Sequence, residues 1–232
     1  MQIIPMQTLR VRQFNGLGNS LSSYLDQPLP YMLFTEIPSD LENKFESALP
    51  DIAKQYGPDM IKASKETGVS PLLMAGIAWA ETLIGTSQFC GTRGPACTSK
   101  TGKYLGLMQY SDLLVPWVRQ KLPNGRPKWS VPYYNFRGGG EVLVQTRNEM
   151  VRRVRNRGTK VSSLDPTRLG NALIAGYNKG GGPATTVLLS GGDIDSITDK
   201  YQGIGYVTRV MGMVNAISDA MKSGTQVNIA NV

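Results

Sequence analysis

The sequence contains no histidine, and this absence narrows the chemistry open to the chain. Without an imidazole it cannot build a Ser-His-Asp or Cys-His catalytic group, an HExxH zinc site or a histidine proton shuttle. Its two cysteines are too few for a zinc tetrad. Hydrolytic or lyase chemistry would therefore rest on carboxylates, hydroxyls, lysines or a metal held by oxygen. Among these we expect a carboxylate to act, with neither a cofactor nor a protein-bound metal ion.

Long apolar runs are also missing. No stretch approaches the roughly 20 uninterrupted apolar residues that a membrane-spanning helix needs, so no membrane span is predicted. The N-terminal segment lacks the basic start and the apolar run of a secretory signal. An enzyme with this sequence that acts outside the cytoplasm would therefore need another route of delivery.

Basic residues outnumber acidic residues by 25 to 17, which gives a formal net charge of +8. Such a charge favours polyanions, whether nucleic acid, an anionic membrane or a cell wall that carries carboxylates. Neither paired zinc ligands nor an aromatic ribonucleoprotein strand accompanies it, so no nucleic-acid partner is expected. The densest basic run predicts either a solvated helix face or a binding stripe. Its members are Arg147, Arg152, Arg153, Arg155, Arg157 and Lys160.

The length of 232 residues, of which 41% are hydrophobic and 18% charged, fits one good-sized core better than two independent domains. Residues 1–45 contain four prolines and a Gly-Asn-Ser stretch without clear periodicity. We interpret them as an extended N-terminal arm. The main folded domain is expected over residues 46–222, and residues 223–232 form a C-terminal tail.

Apolar residues recur at helical spacing over much of this domain, whereas strand patterns are few. Ser70 followed by Pro71 is typical of a helix start, and Gly85 would end that helix. Residues 86–104 are rich in Gly, Thr and Ser and are predicted to form a loop with a short hairpin. The chain is therefore expected to be mainly α, in an α+β arrangement. Further helices are predicted over residues 51–67, 141–156, 165–177 and 206–221.

Glu81 stands out because its neighbours from Ile77 to Ile84 are almost all apolar. Burial would raise the pKa of its carboxyl, and a place in the last turn before Gly85 adds repulsion from the negative end of the helix dipole. A carboxyl that stays protonated near neutral pH suits a general acid for a glycosidic oxygen. The alternative is that Glu81 is a surface residue on the one wet stripe of its helix.

Several short motifs, taken in order, resemble the soluble lytic transglycosylase family, whose fold is that of goose-type lysozyme. Each motif is weak alone, and their shared order between about residues 51 and 221 is what makes the resemblance specific. The segments that carry it are 68–73 (GVSPLL), 81–82 (ET), 106–109 (GLMQ), 135–138 (NFRG), 175–180 (AGYNKG) and 206–210 (YVTRV).

This resemblance implies a lysozyme-like helical catalytic domain over residues 46–222, with a small loop or hairpin region beside the active-site cleft. It implies that Glu81 protonates the oxygen between N-acetylmuramic acid and N-acetylglucosamine. The muramyl 6-hydroxyl then attacks the anomeric carbon, and a 1,6-anhydro sugar results. The residues expected to bind the glycan strands of peptidoglycan are Thr82, Gly106, Leu107, Met108, Gln109, Tyr177, Asn178 and Tyr206.

The absent signal and the arm suit a bacteriophage enzyme that is carried in the virion or freed by lysis and acts on the host cell wall. We expect the arm over residues 1–45 to order against another virion protein or against the back of the catalytic domain.

Several interpretations stay open at the level of sequence. A goose-type muramidase would use the same site with water as the acceptor, and a second carboxylate such as Asp112 would favour it. A non-catalytic virion protein that binds the wall is a further alternative. Leu107 and Met108 could equally be core residues. Cys90 and Cys97 could be bridged or could both remain reduced.

Overall fold

The computed structural model of the chain describes residues 20–87 and 94–232. The expected mainly α fold is confirmed, because the elements are helices apart from two small antiparallel hairpins. The helices are α1 (Leu21–Leu25), α2 (Leu29–Leu33), α3 (Glu42–Ala48), α4 (Asp51–Lys54), α5 (Gly57–Thr67), α6 (Pro71–Thr82), α7 (Pro132–Asn156), α8 (Pro166–Lys179), α9 (Gly181–Ser190) and α10 (Tyr206–Ser223). The hairpins pair β1 (Tyr104–Leu105) with β2 (Tyr110–Ser111) and β3 (Lys200–Tyr201) with β4 (Ile204–Gly205).

Helix α6 forms the centre of the molecule. Ser70 caps it as predicted, since its hydroxyl accepts from the Leu72 amide at 3.2 Å, and Pro71 occupies the first turn. The helix itself carries apolar side chains on nearly every side, so it needs other elements packed around it on all sides. Its most extensive neighbour is α10. The two helices approach closely at Gly76, where a Cβ would lie 2.8 Å from the Val210 carbonyl oxygen.

Helix α7 is longer than predicted because it begins at Pro132 rather than near residue 141. The glycines 138–140 lower the helix propensity of its first half. In the fold each of them makes room for a neighbour, and a Cβ at Gly139 would lie 2.3 Å from the Met108 sulfur. Packing of the loop that precedes α7 therefore outweighs local propensity.

Two other predicted elements differ in detail. The helix predicted over residues 51–67 is divided into α4 and α5 by a turn at Gln55 and Tyr56, just before Pro58 in the first turn of α5. The helix predicted over residues 165–177 is α8, and Gly180 separates it from a further helix, α9, which was not predicted.

The prediction of an extended arm is wrong for residues 20–45. This segment contains α1, α2 and the start of α3, and most of its apolar side chains are buried in the common core, Leu33 without any exposed surface. The Tyr24 hydroxyl lies 2.9 Å from Ser70 Oγ, and the Ser70 amide donates to the Leu33 carbonyl at 3.0 Å. Apolar residues that are too few to show helical periodicity in the sequence can thus stabilise short helices when these pack against a core. Residues 1–19 lie outside the described residues.

The C-terminal segment 223–232 also packs on the body of the protein. The Val227 amide donates to the Ala48 carbonyl at 2.9 Å and its side chain is buried. The side-chain amide of Gln226 donates to the Asp51 carboxylate at 2.7 Å. Within the two described ranges, none of the helices is both long and apolar enough to cross a bilayer.

Candidate functional site

Glu81 lies in the last turn of α6, as the sequence predicted. The helix ends at Thr82, and Leu83 and Ile84 follow with left-handed φ values of 47° and 53°. Such a conformation is rare for branched residues and costs on the order of 1 kcal/mol or more for each. The Glu81 side chain is partly exposed although protein surrounds it closely. It is therefore neither an ordinary surface residue nor sealed in the core.

Thr82 holds the strained turn together and does not face a cleft. Its side chain is buried, and its hydroxyl lies 3.0 Å from the carbonyl oxygens of both Ala78 and Leu107. The same hydroxyl accepts from the Gly85 amide at 2.9 Å. One side chain thus links the end of α6 to the loop between β1 and β2. Thr82 was expected to bind substrate, but in the structure it instead positions the end of α6 against this loop.

Gly106 opens the loop between β1 and β2 with a left-handed φ of 70°. A Cβ at this position would overlap the Asn135 amide nitrogen at 1.8 Å, so only glycine fits. The Asn135 amide donates to the Leu105 carbonyl at 3.1 Å and accepts from the Met108 amide at 3.0 Å. Asn135 of α7 therefore shapes the loop, which explains why a glycine and an asparagine stand at these two places.

Leu107 and Met108 belong to the core, because neither has any exposed surface. The structure thus favours the alternative that was left open for them, and we no longer count them or Gly106 as direct substrate contacts. Gln109 is different, since it is partly exposed and has a left-handed φ of 48°. Its amide nitrogen donates to the Gly106 carbonyl at 2.6 Å and to the Cys97 carbonyl at 3.3 Å, which orients its side chain.

Tyrosines line the surroundings of Glu81. The Tyr177 hydroxyl donates to the Met108 carbonyl at 2.8 Å and so ties α8 to the loop. The Tyr206 side chain is buried, and the interaction of its hydroxyl with Glu81 lowers the pKa of that carboxyl. Burial and the Glu81 charge raise the pKa of both tyrosines well above 10. Both phenols therefore remain neutral hydroxyl donors. Tyr110, which also raises the pKa of Tyr177, is buried, whereas Tyr177 itself is partly buried.

The pKa of Glu81 is raised to about 7, and burial is its largest cause. Tyr206 and the positive charges of Arg209 and Lys179 act in the opposite direction, whereas the negative charge of Asp199 raises the pKa further. The proton on Glu81 is therefore available near neutral pH and can also be released there.

These charged groups form an ordered frame on one side of Glu81. Asp199 makes an ion pair with Lys179, accepts from the Asn178 amide at 3.2 Å and donates its own backbone amide to the Asn178 side chain at 3.1 Å. Arg209 donates to the Ala80 carbonyl at 2.5 Å, at the end of α6. Asn178, expected to bind sugar, thus has both ends of its amide engaged with Asp199.

The structure brings Glu81, Tyr177, Tyr206 and the frame around Asn178 together. Sequence reasoning missed Tyr110, Asp199 and Arg209 as members of the site. Arg209 stands inside the 206–210 motif and could have been noticed there. Asp199 had no sequence signal, because an exposed loop carboxylate acquires a role only through the packing of α8 and α10.

Two further predicted positions have clear outcomes. Asp112 makes an ion pair with Arg119, and a hydrogen bond from that guanidinium is the main reason why the pKa of Asp112 is lowered. Cys97 is disulfide-bonded, and the one other cysteine of the sequence, Cys90, lies outside the described residues. Over residues 20–87 and 94–232, no three acidic or cysteine side chains gather as a metal site would require.

No protein-family model matches the chain, and no curated protein sequence is significantly similar to it.

Proposed function

We propose that the chain is a lytic transglycosylase that cleaves the glycan strands of peptidoglycan, with Glu81 as the general acid and base. The observation that carries the proposal is a partly exposed carboxyl with a pKa of about 7 at the strained end of a buried helix. The order of motifs that resembles the lytic transglycosylase family supports peptidoglycan glycan strands as the substrate on which this carboxyl acts.

In the proposed first step, protonated Glu81 donates its proton to the oxygen between N-acetylmuramic acid and N-acetylglucosamine. The bond from the anomeric carbon to that oxygen breaks, and the departing sugar keeps the proton as a hydroxyl. Positive charge develops on the muramyl ring, close to the now ionised Glu81, which stabilises it.

In the second step, the 6-hydroxyl of the same muramyl residue attacks its anomeric carbon and gives up its proton to Glu81. The product is a 1,6-anhydro sugar, and Glu81 is again protonated. A pKa near 7 suits both halves of the cycle, because the carboxyl must donate and then accept. Both tyrosine hydroxyls stay protonated throughout; that of Tyr206 can orient the carboxyl, whereas that of Tyr177 is engaged with the Met108 carbonyl.

The muramidase alternative, in which water is the acceptor, needs a second carboxylate to activate that water. Asp112 does not suit this role, since it is paired with Arg119 and does not figure among the charges that act on Glu81. Asp199 does act on Glu81 and its pKa is lowered, chiefly by its hydrogen bond from Lys179, so it remains ionised. Asp199 is, however, engaged by Lys179 and Asn178 just as Asp112 is engaged by Arg119, which supports the transglycosylase reaction over hydrolysis.

The test is digestion of purified sacculi followed by mass spectrometry of the muramyl ends. We expect 1,6-anhydro ends from the wild-type protein. Hydrated reducing ends would show that the protein is a muramidase rather than a transglycosylase. Intact sacculi would refute both activities and leave the hypothesis of a wall-binding virion protein.

Glu81→Gln is the matching variant, because it keeps the shape of the side chain and removes its transferable proton. Cleavage should fall by about 10²–10⁴-fold. Thermal stability at pH 8 should not fall, since no ionised carboxylate is then buried. Glu36→Gln, at an exposed position, is the control and should leave cleavage unchanged. Equal activity of both variants would refute the role of Glu81.

We further propose that the protein is carried by a bacteriophage particle and acts on the host wall. The net charge of +8 supports attraction to wall carboxylates. An attachment through residues 20–45 is no longer part of this proposal, because those residues pack on their own domain.

A further inference from the structure

A cavity away from Glu81 is lined by part of the basic run that the proposed function leaves unexplained. It has a volume of about 730 Å³ and lies between α2, α7, the loop before α8 and α8 itself. Most of its wall is apolar, and the residues used below are Phe34, Arg147, Arg155, Lys160, Val161 and Leu173. Its volume falls within the roughly 300–1,000 Å³ typical of sites for small molecules.

Arg147 lies in the wall of this cavity with its guanidinium carbon 4.9 Å from the centre of the Phe34 ring. Its Nε is buried and has no hydrogen-bond partner among the described residues. Burial lowers the pKa of this guanidinium, which nevertheless remains charged. A buried charged donor without a partner is costly, and an anion at this place would offset that cost.

The remaining charges at the cavity are positive as well. Arg155 and Lys160 are exposed, and within the described ranges neither of them, nor Arg147, takes part in an ion pair. No acidic residue lines the cavity. The site thus combines an apolar interior with three cations that lack counter-charges.

We propose that this cavity binds a small anionic amphiphile, a molecule with an apolar chain and a carboxylate head. The chain would lie against Val161 and Leu173, and the carboxylate would accept hydrogen bonds from Arg147 and face Arg155 and Lys160. This inference is independent of wall cleavage.

Other parts of the same protein fit the cavity less well. Residues 1–19 contain two arginines and no acidic residue, so they lack the required charge. A second copy of the chain would bring another net charge of +8 towards the same basic surface.

The test uses isothermal titration of the full-length protein with decanoate and, separately, with decyltrimethylammonium, both below their micelle concentrations. The two probes share a ten-carbon chain and differ in the sign of the head group. We expect decanoate to bind with a stoichiometry of one and at least about tenfold more tightly than the cation. Equal binding of the two probes, or no binding of decanoate, would overturn the proposal.

Arg147→Gln should weaken decanoate binding by about tenfold or more, because it removes the charge that the carboxylate meets. Arg152→Gln is the matched control on the same helix, exposed and outside the cavity, and should leave binding unchanged. If Arg147→Gln fails to fold, the double variant Arg155→Gln with Lys160→Gln should still weaken binding.

An equal loss in Arg152→Gln and Arg147→Gln would mean non-specific attraction and would overturn the assignment. So would binding of an acidic amphipathic peptide with the same variant dependence when decanoate does not bind, since the cavity would then serve a protein partner. Cleavage of sacculi should be the same in all of these variants, so a failure here does not bear on Glu81.

Discussion

The acidity of Glu81 results from opposing effects that single residues contribute. Burial and Asp199 disfavour the ionised carboxylate, whereas Tyr206, Arg209 and Lys179 favour it. Burial and Asp199 have the larger effect, so the pKa of Glu81 in the folded protein, about 7, exceeds its ordinary value of 4.5. An acid with a raised folded pKa loses folding stability as pH rises from its unfolded value through its folded value. Glu81 therefore makes the protein less stable at pH 8 than it would be at pH 4.5.

Activity should decline as pH rises through about 7, because the first step requires protonated Glu81. Asp199→Asn should move this decline to lower pH, since it removes a negative charge that raises the pKa of Glu81 and frees the positive charge of Lys179. The measurement is the rate of glycan cleavage between pH 4.5 and 9. Asp219→Asn, at an exposed position of α10, should leave the profile where it is. A profile that moves to higher pH in Asp199→Asn would contradict this account.

Tyr177→Phe should lower both stability and cleavage, because the hydroxyl that it removes donates to the buried Met108 carbonyl at 2.8 Å. The loss of that bond should cost about 1–2 kcal/mol of unfolding free energy. Tyr110→Phe is the matched control, since the Tyr110 hydroxyl is buried without a hydrogen-bond partner among the described residues. Its free energy of unfolding should change by less than that of Tyr177→Phe. Chemical denaturation of both variants gives the comparison, and an equal loss would mean that the Met108 bond contributes nothing.

At the scale of elements, the site depends on how the end of α6 meets the loop between β1 and β2. Leu83, Ile84 and Gln109 hold left-handed φ values on the two sides of this junction. Conformations of this kind persist only where surrounding bonds impose them. Thr82 from α6 and Asn135 from α7 supply such bonds. The carboxyl of Glu81 is therefore placed by contacts that lie next to it rather than on it.

Thr82→Val tests this junction, because it keeps the size of the side chain and leaves the Gly85 amide and the Leu107 carbonyl without their shared partner. We expect a loss of about 2–3 kcal/mol in unfolding free energy and a lower rate of cleavage. Thr82→Ser retains the hydroxyl and should recover most of the activity. The two variants are compared by thermal unfolding and by digestion of sacculi. Equal activity in Val and Ser would show that the hydroxyl does not position the site.

At the scale of the whole molecule, residues 20–45 complete the core instead of extending from it. Leu33 and Tyr24 are buried, and the backbone of Leu33 is bonded to Ser70, the residue that caps α6. This segment also supplies Phe34 to the wall of the cavity that contains Arg147. The helix that carries Glu81 is thus anchored at its start by the N-terminal segment.

Deletion of residues 1–45 should therefore destabilise the protein strongly and abolish cleavage, because it exposes apolar core and removes the partners of Ser70. Deletion of residues 1–19 is the control and removes none of the described contacts. Yield of soluble protein, thermal unfolding and cleavage of soluble glycan strands are measured for both. A truncated protein that begins at residue 46 and retains full activity would restore the idea of a dispensable arm.

The sequence by itself determined the mainly α class, the cap at Ser70, the end of α6 after Glu81 and the raised pKa of that carboxyl. Each of these follows from neighbours in the chain, since hydroxyl caps, glycine stops and apolar surroundings act over a few residues. The sequence did not predict the start of α7, because glycines 138–140 have low helix propensity. The packing of Met108 on Gly139 stabilises the helix there, and that contact joins residues far apart in the chain.

Only the tertiary structure decided which residues of the motifs face the site. Leu107 and Met108 lie in the core, Asn178 is held by Asp199, and Arg209 and Asp199 join Glu81 from distant parts of the chain. It also decided that residues 20–45 are core rather than an arm. The physical reason is that burial and charge pairing depend on distances in space between residues far apart in sequence. A motif specifies which side chain is present, whereas packing specifies what that side chain meets.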